Sequence, residues 1–90
     1  MNEQQRLNLK AMIDILSNGH QAVAHKGCDL NASILKMDEA CRDGKRSKIL
    51  EWAVDRNVES FEAHLRAQED RIRRVREEFQ EIKKNLVSPA

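Results

Sequence analysis

Apolar residues recur along this chain at spacings of three and four, the repeat of helices that bury one face. The first series is Leu9, Met12, Ile13, Leu16 and Val23, widened by Ala11, Ile15, Ala22 and Ala24. Asn18-Gly19 interrupts it. A glycine there either ends a helix in a left-handed turn or sits inside one at a cost of about 1 kcal/mol against alanine. Because the period resumes at Val23, the expected first helix runs from about residue 3 to 26, weakened or broken near Gly19.

Gly27 is expected to stop that helix. Asp29 then suits an N-cap, because its carboxylate can accept from the free amides of a new first turn. Leu30, Ile34, Met37 and Cys41 follow as one apolar stripe, so a second helix is expected over about 29–43. Asp43-Gly44-Lys45-Arg46 is a short polar connection, and short connections make antiparallel neighbours.

Ser47 can cap a third helix. No glycine or proline interrupts the chain from there to Val87, and Pro89 lies just beyond. About 40 residues at 1.5 Å each make a rod of roughly 60 Å. Two series run along it at steps of seven: Glu51, Val58, Leu65, Ile72, Phe79 and Leu86, and Val54, Phe61, Gln68, Val75 and Ile82. Together they form the seam of a coiled coil. Ile49, Leu50, Trp52 and Ala53 add apolar surface off that seam near its start, which calls for cover on several sides. The expected architecture is therefore all-α, one helical domain over 1–90. Two shorter helices pack on the first half of a long C-terminal helix, over about 47–87, with coiled-coil character.

On that reading the later stripe has no cover from its own chain. Leu65, Gln68, Ile72, Val75, Phe79, Ile82 and Leu86 become a candidate protein interface, because an uncovered apolar stripe is an interaction site by default. A second copy is the simplest cover, since two-fold dimers are the commonest oligomers. Gln68 either fixes register as a buried polar residue or lies solvated where helices splay apart.

Composition narrows the function. Of 90 residues 34% are charged and 3% aromatic, with a formal net charge of +1. That balance argues against a dedicated DNA-binding protein, which carries a clear basic excess. Two basic clusters still qualify as candidates. Arg71, Arg73, Arg74 and Arg76 are interleaved with Glu69, Asp70, Glu77 and Glu78, the pattern of a salt-bridged solvent face. Arg42, Lys45, Arg46 and Lys48 surround the turn with less compensation, and are the better candidates for an anion or nucleic-acid contact.

No apolar run of about 18 residues is present, so no membrane span is expected. The N-terminus lacks a signal-peptide pattern, and the expected location is cytoplasmic, with Cys28 and Cys41 as reduced thiols. His20, His25, Cys28 and Cys41 include zinc-ligand types, but not at finger spacing. Cys41, on an apolar stripe, reads as a small buried hydrophobe. Neither a phosphate-binding loop nor a dinucleotide fingerprint is present. No catalytic residue, metal or cofactor is assigned. The expected function is a non-enzymatic protein–protein interaction module, as an adaptor, regulator or inhibitor. It acts by helix packing as a homodimer and toward an unidentified protein. The alternatives are a nucleic-acid-associated regulator, using the basic turn and the mid-helix arginines, and a chaperone-like binder of a partner's helix.

Overall fold

The computed structural model describes residues 2–87, and the side chains of 2–84. It contains two helices, α1 (Glu3–Arg42) and α2 (Lys48–Val87), folded into a hairpin measuring 71 × 17 × 15 Å. The all-helical architecture and the long C-terminal helix agree with the sequence reading. The helix count does not, because the two shorter helices are one. Pro89 lies outside the described residues, as does the side chain of Leu86.

Gly19, Gly27 and Asp29 were the expected break, stop and cap, and all three lie inside α1. Gly19 serves packing instead. A Cβ there would stand 2.0 Å from Gln68 Oε1, whereas one at Gly27 would meet the Phe61 ring at an ordinary contact distance of 3.4 Å. The absent side chain at Gly19 thus admits Gln68, and that tertiary contact outweighs a helix-propensity cost of about 1 kcal/mol.

The true ends are set by capping. Asn2 Oδ1 accepts from Gln5 N at 2.8 Å, and Gln5 Oε1 accepts from Asn2 N at 3.0 Å, a reciprocal capping box. At the other end Lys45 N donates to Ala40 O at 2.7 Å and Gly44 N to Cys41 O at 3.1 Å. This is the Schellman pattern, with Gly44 at φ +69° in the left-handed region that glycine enters freely. The turn at 43–47 follows, and Ser47 Oγ accepts from Leu50 N at 3.4 Å to open α2.

An unbroken α1 carries one heptad phase from end to end. Among its half-buried and buried positions Leu9, Leu16, Val23, Leu30 and Met37 alternate with Gln5, Met12, Gly19, Lys26, Ser33 and Ala40. On α2, Val54, Phe61, Gln68, Val75 and Ile82 alternate in the same way with Leu50, Asn57, His64, Arg71 and Glu78. Labelling the first row of each helix a and the second d gives the antiparallel seam. The expected stripe of Leu30, Ile34, Met37 and Cys41 is thereby corrected. Ser33 and Ala40 take the seam, while Ile34 and Cys41 stand exposed beside it. Cys41 is not a buried hydrophobe.

Candidate functional site

The seam of α2 is rotated from the one its apolar series suggest. Val54, Phe61, Gln68, Val75 and Ile82 face α1, but Val58, Leu65, Ile72 and Phe79 fall at the neighbouring position e. The expected interface therefore divides. Val75, 6% exposed, is the best-buried apolar residue, and Gln68, 4% exposed, is buried beside it. Ile82 is half-buried in the seam. Leu65 and Ile72 are half-buried on the flank, and Phe79 is 42% exposed. Cover for Gln68 and Val75 comes from α1, which runs the whole length of α2 rather than half of it.

Gln68 is satisfied. Its Nε2 donates to Leu16 O at 2.9 Å, and its Oε1 accepts from Arg71 Nη1 at 3.2 Å. The amide reaches the α1 backbone because Gly19 lacks a side chain one turn on. Of the two readings of Gln68, the structure shows the buried, hydrogen-bonded one. Such a contact ties one level of α2 to one level of α1, and so selects a register.

The sides of the hairpin are unlike. In an antiparallel pair, e positions of both helices share one long side and g positions share the other. Ile15 and Arg74 line one depression, and Asp29, Lys36 and Ala53 another, which groups the g residues on a common side. The opposite side collects Arg6, Ile13, His20, Gly27, Ile34 and Cys41 from α1 with Glu51, Val58, Leu65, Ile72 and Phe79 from α2. Ile13, Ile34, Val58 and Phe79 are each more than 40% exposed. Each isoleucine and valine-to-phenylalanine row spans about 32 Å along its helix, and the two rows run alongside each other. The sequence places Val58 in one seven-residue series with Leu65, Ile72 and Phe79, though the expected interface began only at Leu65. Ile13 and Ile34 share that heptad position on α1, which is legible only when α1 is continuous.

The basic clusters are split differently. Asp70 pairs with both Arg73 and Arg74, the latter at 3.1 Å, and Arg71 is engaged with Gln68. At the turn, Arg42 pairs with Asp38 at 2.9 Å, whereas Lys45, Arg46 and Lys48 are exposed. All ion pairs among the described residues lie within one helix at i,i+3 or i,i+4, so electrostatics contribute little to holding α1 on α2. Cys28 and Cys41 are exposed and sit on one helix about 20 Å apart. No group of histidine, cysteine and carboxylate residues is placed to hold a metal among the described residues. No described helix is long and apolar enough to cross a membrane.

No protein-family model matches this chain, and no curated protein or solved structure matches it either.

Proposed function

We propose that this protein is a non-enzymatic protein–protein interaction module that acts through helix packing, as a homodimer. The observation that carries the reading is the uncovered apolar side formed by Ile13, Ile34, Val58, Leu65, Ile72 and Phe79. The hairpin by itself has no fully buried side chain among the described residues, and Val75 alone of its apolar residues is classed as buried. A chain of this size with so thin a core gains stability by burying surface against another molecule.

The interface assigned here is a revision of the expected one. Leu65, Ile72 and Phe79 remain in it. Gln68, Val75 and Ile82 belong to the fold of the hairpin, and Ile13, Ile34 and Val58 are added. Adaptor, regulator and inhibitor are all roles that such a module serves.

Sedimentation equilibrium tests the proposal. The wild-type chain is expected to show a concentration-dependent mass of twice 10.4 kDa. Val58→Asp with Phe79→Asp, both at exposed positions, is expected to return it to monomer. A mass that the double substitution leaves unchanged overturns the reading.

A further inference from the structure

We infer that the partner on this side is a second copy whose α2 lies antiparallel on α2, with the two-fold axis passing near Glu69. This inference rests on the proposed function and adds the arrangement. A charged row points to it, and the apolar row accommodates it.

The first row is the apolar one. Val58, Leu65, Ile72 and Phe79 are spaced evenly by seven, so a two-fold axis between Leu65 and Ile72 lays the row back on itself in reverse. Val58 then meets the partner's Phe79, and Leu65 meets the partner's Ile72. The largest residue of the row thus opposes the smallest, and the two isomeric side chains oppose each other, which suits close packing.

The second row is charged. Position b lies next to e on the side away from the seam, at the rim of the apolar face. In α2 it holds Asp55, Glu62 and Glu69, then Arg76 and Lys83, all exposed. From Asp55 to Lys83 the sign changes once, just past an axis about which the apolar row also reverses onto itself. The same two-fold therefore sets Asp55 against the partner's Lys83 and Glu62 against the partner's Arg76, each twice by symmetry. Glu69 alone meets its own copy. A parallel arrangement would oppose every charge in the row to its like. Lys48, the remaining member of the row, falls opposite a level past the end of α2 at Val87.

On α1 the same rim carries Ser17, Ala24 and Asn31 between Lys10 and Asp38, with His20 and Gly27 on the face. The short side chains in the middle of that rim allow the two copies of α1 to approach beside His20 while the α2 helices make the main contact. Charge complementarity of this kind sets orientation more than it sets affinity.

Charge exchange is the test. Glu62→Arg alone and Arg76→Glu alone each create like pairs, and each is expected to weaken the homodimer about tenfold. An equimolar mixture of the two variants restores both pairs, so native mass spectrometry is expected to show the heterodimer well above half of all dimers. Oxidation supplies a second readout in a Cys28→Ser, Cys41→Ser background. Glu69→Cys is expected to cross-link to its own copy, and Asp55→Cys is not. A wild-type dimer whose mixed variants assort statistically, or whose Asp55→Cys form cross-links to itself, overturns the antiparallel arrangement and leaves self-association standing. A wild-type chain that is monomeric at every concentration overturns both.

Discussion

The two long sides of the hairpin flank the same seam at the same distance, yet their chemistry differs. One side displays Ile15 and Ala22 among Asn8, Asp29 and Lys36 on α1, and Ala53, Ser60 and Ala67 with Arg74 and Glu81 on α2. The other displays Ile13 and Ile34 with Arg6, His20 and Cys41 on α1, beside a continuous row of Val58, Leu65, Ile72 and Phe79 on α2. Packing α1 on α2 does not require this asymmetry, since either flank of a two-helix pair is equally open to water. Leaving valine, isoleucine and phenylalanine partly exposed along one flank forgoes hydrophobic stabilisation in the monomer, at roughly 25 cal/mol per Å². A second molecule recovers it. The contrast therefore separates residues that make the hairpin from residues that make a surface.

The sharpest way to break that contrast is to put one charge on each side in turn. Phe79→Asp is expected to weaken self-association at least about 100-fold, because each dimer buries the position twice. Ile15→Asp, on the opposite side, is expected to leave the sedimentation mass unaltered. Equal effects from the two substitutions would erase the distinction between the sides.

The next test separates seam from flank through the glycines. Gly19→Ala forces Gln68 away from Leu16 O. It strands a buried amide worth about 1–3 kcal/mol, against a helix-propensity gain of about 1 kcal/mol. The net expectation is a loss of about 1 kcal/mol in urea unfolding. In a double-mutant cycle, adding Gln68→Ala is expected to cost less in the Gly19→Ala background than in the wild type. An additive cycle would mean that the amide does not tie the two helices. Gly27→Ala meets Phe61 at an ordinary contact distance, so propensity is expected to prevail. The melting temperature should rise by the equivalent of up to about 1 kcal/mol.

The smallest effect concerns surface outside both regions. Trp52 is 63% exposed, with the Arg56 guanidinium 5.8 Å from its ring centre. Trp52→Ala is expected to change unfolding free energy by no more than about 0.5 kcal/mol and to leave the mass as it was. A larger change in mass would extend the interface to the first turns of α2.

Much of this molecule was readable in advance, and the misreadings share a cause. The extent of α2, its Ser47 start and the polar turn at Gly44 follow from local rules of capping and glycine placement. The antiparallel neighbour followed from the short connection. The continuity of α1 did not follow, because Gly19 and Gly27 carry the same local signature whether they end a helix or admit a neighbour. What distinguishes the two uses is Gln68 and Phe61, some 50 and 34 positions away in the chain. Dividing α1 at Gly27 gives its second half a separate phase, which turns Cys41 and Ile34 inward and leaves half of α2 without cover.

The residue order alone determined that α2 repeats every seven residues and which residues share each row, since a heptad period is a property of spacing. It also determined the charge row, with acids before arginine and lysine. It did not determine which apolar row would turn inward. Adjacent rows on a helix differ by only tens of degrees about its axis, and both rows of α2 are apolar enough to be buried. That choice needed the opposing helix. Gly19 gives room at one level, Gln68 fills it, and the hydrogen bond to Leu16 O fixes the rotation of α2. With that rotation set, Val54, Phe61, Val75 and Ile82 close the hairpin, and Val58, Leu65, Ile72 and Phe79 are left on its side.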